Sequence, residues 1–399
     1  MAKRFILIIV VIALVAGFAG GFYYRDYQSP VSVVQSLINK NAGQPNTVDF
    51  SLFWNVWEIL HNKYVDNDKL VTQELIYGAI NGMVNAVGDP YTVFLKPKES
   101  EEFKQQINGS FGGIGIEIGL RKNILTVITP IKDTPAAKAG LLAGDKIIAV
   151  DKKSTEGMKV DEAVGLIRGP KGTQVTLTIV RDGANDPKDY SMTRDTIKIP
   201  AVEWKMLDED VAYIEMFVFN KNVDDEFKKA SEEIVKSSAK KIILDVRNNP
   251  GGLLDSAVNI ASYFLESDKI VTVERFGDGK TNEFRTQPNG LLKNYPIIVL
   301  INKGSASASE ILAGALKDNR GVLVVGETSF GKGSVQEVAE LPKKASLKVT
   351  IAKWLTPKGI SINENGIKPD IEVIRKEEDI KNEIDTQLDK ARELIKNLR

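Results

Sequence analysis

From residue 211 to about 373, short aliphatic runs alternate with amphipathic stretches, and this constrains the fold more than any other feature of the chain. Residues 213–216, 241–246, Ile297–Ile301 and 322–325 read as strands, and 223–237, Leu254–Phe264 and 307–316 as helices. A strand that is apolar at successive positions must be covered on both faces. The alternation therefore predicts a largely parallel sheet between layers of helix. At 399 residues, the chain has length for two or three such units.

The first residues have another character. Lys3 and Arg4 precede a run of 20 uncharged residues, Phe5 to Tyr24. At 1.5 Å per residue such a helix spans about 30 Å, the hydrocarbon core of a membrane. The basic flank places the N-terminus in the cytoplasm and the remainder outside. A cleaved signal peptide is the alternative, with Ala16, Gly17, Ala19 and Gly20 as small residues for cleavage. The length of the run and the belt of Phe22, Tyr23 and Tyr24 favour an uncleaved anchor. A polar linker with Pro30, Gly43 and Pro45 follows. Then come two helices, from Asp49 to Tyr64 and from Gln73 to Val87, the second stopped by Gly88-Asp89-Pro90.

Composition removes several chemistries. The chain has 53 basic and 53 acidic residues, and this balance provides no basic stripe for nucleic acid. With no cysteine, disulfides, thiolate metal sites, iron–sulfur clusters and cysteine nucleophiles are excluded. With one histidine, His61, a multi-histidine metal site is excluded too, and no metal or cofactor is expected. His61 reads as a surface or partly packed helix residue. Hydrophobic content of 43% rules out a mostly disordered chain.

Between about 103 and 194 the pattern becomes short β runs punctuated by glycine. Phe111-Gly112-Gly113-Ile114-Gly115, Pro135-Ala136-Ala137-Lys138-Ala139-Gly140-Leu141 and Gly144-Asp145-Lys146-Ile147 together resemble a PDZ domain. A glycine-rich turn lets successive backbone N–H groups converge on a carboxylate, and the next strand edge can pair with an extended peptide. The glycines miss the dinucleotide pattern by one position, at Ile118.

Three stretches beside the aliphatic runs could hold chemistry. Arg247-Asn248-Asn249-Pro250-Gly251-Gly252 exposes backbone donors before a helix, or is a simple turn. Gly304-Ser305-Ala306-Ser307-Ala308-Ser309-Glu310 places serines at a helix start, as nucleophile or as cap. Gly326-Glu327-Thr328-Ser329-Phe330-Gly331-Lys332-Gly333 nearly matches a P-loop, but glycine stands where the hydroxyl must be. A serine nucleophile needs a base, and a desolvated Lys332 is the economical choice. Spacing does not choose among Ser305, Ser307 and Ser309.

These three stretches, with Gly88-Asp89-Pro90-Tyr91-Thr92-Val93-Phe94-Leu95, resemble the carboxyl-terminal (tail-specific) processing proteases over roughly residues 50 to 375. The resemblance implies an α/β protease core, a mostly parallel βαβ sheet of the ClpP and crotonase kind. An embedded β-rich α+β PDZ domain, an N-terminal helical region and the transmembrane anchor would complete it. The expected divisions are anchor 1–28, linker 29–48, helical region 49–99, PDZ domain 100–195, protease core 196–376 and C-terminal helix 377–399. It implies Ser307 as nucleophile, Lys332 as general base and Gln336 as the residue that positions the lysine amine. Asp318 would support. Backbone N–H groups of Ala308 and of Gly251 or Gly252 would form the oxyanion hole. Gly113, Ile114 and Gly115 would bind the terminal carboxylate of a substrate, and Arg168 would sense it. Expected partners are polypeptides with exposed, apolar C-termini and the membrane, not nucleic acid. A homodimer and a regulatory partner stay open. The expected location is the cell membrane, single-pass with the catalytic part outside, or secreted if the N-terminal segment is removed. The alternatives are a non-catalytic PDZ scaffold and an acyl-CoA enzyme.

Overall fold

The structure, a computed structural model, describes residues 49–398 except 122, 132, 182–185, 199, 209, 377, 380, 381 and 383. The expected anchor and linker lie outside the described residues. No helix among the described residues is long and apolar enough to cross a membrane. The chain divides into two compact units, one ending at Ile80 and the other running from Asn81.

In the first unit, helix Ser51–Lys63 is followed by the start of helix Thr72–Asn85. His61 stays within its own helix. Its ring stacks on Trp57 at 5.0 Å, and its Nδ1 lies 3.0 Å from the Trp57 carbonyl.

In the second unit, six strands stand in the order Val202–Asp208, Val211–Met216, Lys241–Asp245, Ile297–Ile301, Leu323–Gly326 and Ile371–Glu372. The first pair is antiparallel and every later pair parallel. Successive side chains of a strand point to opposite faces, and this explains the unbroken aliphatic runs. Ile242, Leu244, Val299 and Ile301 pack on one face with helices Val223–Lys236, Leu254–Phe264 and Ala308–Arg320. Ile243, Ile298 and Leu300 pack on the other with Ala391 and Ile395 of the C-terminal helix Thr386–Ile395.

A five-stranded antiparallel sheet joins Val93–Leu95, Ile270–Phe276, Thr281–Arg285, Ser334–Glu340 and Ser346–Leu355. The sequence reading did not assign 270–276, 281–285 or 346–355. The turn Gly277-Asp278-Gly279 between two alternating runs was the available hairpin signal.

The β-rich insertion carries strands Ile116–Arg121, Ile124–Pro130, Lys146–Val150, Lys153–Ser154, Gln174–Val180 and Lys188–Thr193, with helices Pro135–Lys138 and Val160–Ile167. Its own core includes Leu125, Val127, Ile147, Val175 and Leu177. The chain enters along Ser110–Gly113 and leaves along Asp195–Lys198, and these two segments pair antiparallel. The expected boundary at 99/100 lies a little before this neck. It cuts helix Pro97–Ile107, whereas the paired strands put the neck of the insertion at 110 and 198.

Candidate active site

The strands Lys241–Asp245, Ile297–Ile301 and Leu323–Gly326 each run into one of the three loops that the sequence singled out. Neighbouring parallel strands end on the same side, so the loops meet. They border a cleft of about 550 Å³ with Pro250, Gly251, Gly252, Ser307, Ala308, Lys332, Gln336 and Lys348 among its lining. Its apolar walls include Phe103, Ile107, Leu253, Leu254, Ile311 and Trp354.

The three serines separate at once. Ser305 Oγ is fully buried and donates to the Val246 carbonyl at 2.8 Å, and Ser309 Oγ is fully buried and donates to the Asn249 carbonyl at 2.9 Å. Ser307 alone of the three lines the cleft. It precedes helix Ala308–Arg320 with φ 55° and ψ −115°, a backbone region that disfavours residues other than glycine. Such a conformation costs about 1–3 kcal/mol and must be held by its surroundings.

Two buried side chains hold it. Glu310 Oε2 accepts from the Ser307 N–H at 2.7 Å and the Lys332 N–H at 3.1 Å, and its Oε1 accepts from Ser329 Oγ at 2.6 Å and the Gly331 N–H at 2.7 Å. One carboxylate thus ties the serine turn to the lysine turn. Burial pushes the Glu310 carboxyl up, against the pull of these four donors. Asn249 is the second hub. Its carbonyl accepts from the Ala306 N–H at 3.0 Å as well as from Ser309, its Oδ1 accepts from the Gly251 N–H at 2.9 Å, and its Nδ2 donates to the Met216 carbonyl at 2.8 Å.

Gly251 and Gly252 press against these turns. A Cβ on Gly251 would meet the Ala306 oxygen at 2.5 Å, and one on Gly252 would meet the Phe219 oxygen at 2.1 Å. Their N–H groups differ. Gly251 spends its own on Asn249, while the Gly252 N–H meets no acceptor among the described residues. Ala308 opens the helix, where the first N–H has no partner in the helix itself.

Lys332 Nζ sits 5.3 Å from the centroid of the Tyr91 ring, and no hydrogen bond joins it to Ser307 Oγ. Burial holds its amine below the usual lysine range; the charge of Lys348 adds to this and Glu310 opposes it. Lys348 is itself pushed down by burial and lies 5.1 Å over the Phe103 ring. Gln336 lines the cleft, but its amide donates to Ser334 Oγ at 2.6 Å rather than meeting the lysine amine. Asp318 lies on the last turns of the helix that Ser307 opens. Its Oδ2 accepts from the Lys358 N–H at 3.0 Å, so it braces a turn away from the cleft.

A second, smaller groove of about 50 Å³ lies in the insertion, lined by Phe111, Gly113, Ile114, Gly115, Val164 and Arg168 among others. The Ile114 carbonyl is spent inward on the Ala136 N–H at 2.8 Å, and the Gly115 carbonyl on the Ile131 N–H at 2.9 Å. The Arg168 guanidinium covers the Phe111 ring at 4.1 Å. Burial pushes Arg168 down, and Glu102 is the carboxylate that counters it.

A family model described as peptidase family S41 matches residues 210–373, and a PDZ-domain model matches residues 126–181. A third, described as the N-terminal domain of the activating protease CtpB, matches residues 12–99. The carboxy-terminal-processing protease of Bartonella bacilliformis is 39% identical over 345 residues, 86% of this chain and 79% of that protein. The carboxy-terminal processing protease CtpA of Bacillus subtilis is 36% identical over 339 residues, 84% of this chain and 71% of its own. The chain belongs to the carboxy-terminal processing protease family. Among solved structures, the photosystem II D1 C-terminal processing protease matches with 30% identity and a TM-score of 0.50, over 80% of this chain and 86% of that one.

Proteases of this family are serine-type endopeptidases, and this carboxy-terminal processing protease is one with an embedded PDZ domain. Of the residues expected from its sequence, Ser307, Lys332, Gln336, Ala308, Gly251 and Gly252 border one cleft, and Gly113, Ile114, Gly115 and Arg168 border one groove. Asp318 joins neither set. Sequence reading missed Glu310, Asn249 and Lys348. The first had a signal, since Ser307 and Glu310 stand at capping-box spacing. Asn249 stood in the singled-out glycine stretch with no role of its own assigned, and Lys348 had no signal.

Proposed function

We propose that the chain is a membrane-anchored, extracytoplasmic, tail-specific endopeptidase that cuts with a Ser307/Lys332 dyad through an acyl-enzyme. The observation that carries this reading is the sorting of the serines. Two are locked into the fold, and the one at the strained helix start shares a cleft with a lysine whose burial disfavours its charge.

In the proposed reaction the Lys332 amine leaves the Tyr91 ring and takes the Ser307 proton as Oγ attacks the scissile carbonyl. Catalytic hydrogen bonds are often open in free enzymes and tighten with substrate. The Ala308 and Gly252 N–H groups receive the oxyanion, with the helix dipole behind them. Lys332 then protonates the leaving amine, and water releases the acyl group. Gln336, once turned from Ser334, would hold the lysine amine, and Asp318 acts only by bracing its helix.

The PDZ groove would take the substrate's C-terminal carboxylate on the N–H groups of the 113–115 turn, and its apolar last side chain in the pocket below. Arg168 would report occupancy through Glu102 to helix Pro97–Ile107, whose Phe103 lines the cleft. The exposed apolar side chains of helix Ser51–Lys63, with Leu52 at 74% exposure, would serve a homodimer or a regulatory partner.

The test is mass spectrometry of cleavage by residues 29 to 399 on unfolded proteins with apolar or charged C-termini. Apolar tails are expected to be preferred, with cleavage lost in Ser307→Ala and in Lys332→Ala. Cleavage that survives either substitution overturns the dyad. Tail binding without any cleavage by the wild type favours the scaffold reading.

A further inference from the structure

Arg247 opens the loop that ends in Gly252, and its side chain is 9% exposed. On one side its Nε donates to Asp245 Oδ2 at 2.9 Å and its Nη2 to the same oxygen at 2.6 Å. Tyr213 Oη also donates to that oxygen, at 2.7 Å. On the other side Nη1 donates to Asp385 Oδ1 at 2.7 Å, Nη2 to Asp385 Oδ2 at 2.8 Å, and Nη1 to Gln387 Oε1 at 3.1 Å. Asp385 and Gln387 begin the C-terminal helix, 138 and 140 positions away in sequence and beyond the matched protease region 210–373.

The same helix start reaches the other two loops. Gln387 Nε2 donates to the Val373 carbonyl at 2.7 Å and to Glu327 Oε2 at 3.4 Å, and Glu327 pairs with Lys303 at 3.2 Å. Glu327 opens the loop that leads to Lys332, and Lys303 opens the one that leads to Ser307. Next to Arg247, Asn248 and Asn302 exchange hydrogen bonds at 2.8 Å, which joins the glycine loop to the serine loop.

We propose that Asp385, with Gln387, is a positioning residue for catalysis: it clamps Arg247 and thereby fixes where the Gly252 donor stands relative to Ser307. This inference rests on the proposed oxyanion role of Gly252. A buried ion pair adds little to stability compared with an apolar packing of the same volume. It does set geometry, because a bidentate guanidinium–carboxylate pair fixes both angle and distance. Asp245, Asn302 and the Asn249 hub tie the glycine loop to the sheet and to the serine loop, and Asp385 adds the bidentate link to the C-terminal helix. A donor displaced by about an ångström forfeits much of its effect on the transition state and little on substrate binding.

The experiment measures kcat and KM of the full chain on an unfolded substrate with an apolar tail, and affinity for a peptide boronate, whose adduct uses the oxyanion donors. Asp385→Asn is expected to lower kcat roughly 10- to 100-fold with KM within about twofold, and to weaken boronate binding in parallel. Asp385→Glu should recover part of the loss. Gln387→Leu, a milder change, should give a smaller loss of the same kind. Arg392→Ala is the control. It releases the same helix from Asp208, a 2.7 Å contact away from Arg247, and should leave kcat unchanged. An unchanged kcat per folded molecule in Asp385→Asn overturns the proposal. So does an equal fall in Arg392→Ala, because the helix would then be a general staple. Ser307→Ala run alongside separates the two readings: cleavage that survives it sinks the dyad, whereas intact kcat in Asp385→Asn sinks the clamp alone.

Discussion

The groove of the PDZ domain is bordered by the turn 113–115, whose Ile114 and Gly115 carbonyls turn inward, by the apolar Ile116, Ile118, Val164 and Ile167, and by Arg168 laid over Phe111. The protease cleft depends on side chains, and those that shape it are not the ones that line it. Glu310 and Asn249 are fully buried and hold the serine, lysine and glycine turns from behind. The carboxylate contacts proposed for this groove are backbone N–H groups, which side-chain substitution leaves in place. A site held by buried polar hubs is intolerant, because each hub satisfies donors that no water can reach.

Substitutions at four positions test this contrast. Ser307→Ala should lower the rate of cleavage by roughly 10⁴-fold or more while binding of an apolar tail peptide, read by calorimetry, stays as in the wild type. Lost binding would mean that the two sites are not separable. Gly252→Ala should cost on the order of a hundredfold in kcat, since its Cβ would push on the Phe219 carbonyl at 2.1 Å, and a steady-state assay reads this directly. A full rate would show that the loop has slack, against a hub-held site.

Lys348→Met comes next. Burial and the Lys348 charge both hold the Lys332 amine down, so removing Lys348 should raise it. The acid limb of the kcat/KM profile should then move to higher pH, with activity regained in alkaline buffer. Lys348→Arg, which keeps the charge, should keep the profile. An unmoved limb in the methionine variant would leave burial as the whole cause. The smallest effect is expected from Arg168→Ala, roughly tenfold or less in peptide affinity, because the 113–115 turn keeps its N–H groups.

The parallel sheet was readable because burial on both faces writes an unbroken aliphatic run, and Ile298 and Val299 do face opposite layers. The three loops were readable because strand ends, helix starts and tight turns leave short local signatures, whereas Ser307 was singled out from Ser305 and Ser309 only by the family resemblance. The antiparallel sheet was harder, since strand Ser346–Leu355 declares itself only through the partners it pairs with. For the same reason Lys348 was invisible: it reaches the cleft by register, opposite Val338 and Val93. Which glycine has a free N–H was decided by the Asn249 side chain, and no pattern of residue types reports a rotamer. Asp318, expected only in a supporting role, is a recognisable position whose contacts go to the turn at Lys358.

The neck formed by Ser110–Gly113 and Asp195–Lys198 has a corollary. Chain entry and exit lie in neighbouring strands, about 5 Å apart. To the core, everything between them is one closed excursion, and the entropy of closing it grows only slowly with its length. The recognition module is therefore a cassette. Its length can change at small entropic cost to the core, so long as the two strands still find each other.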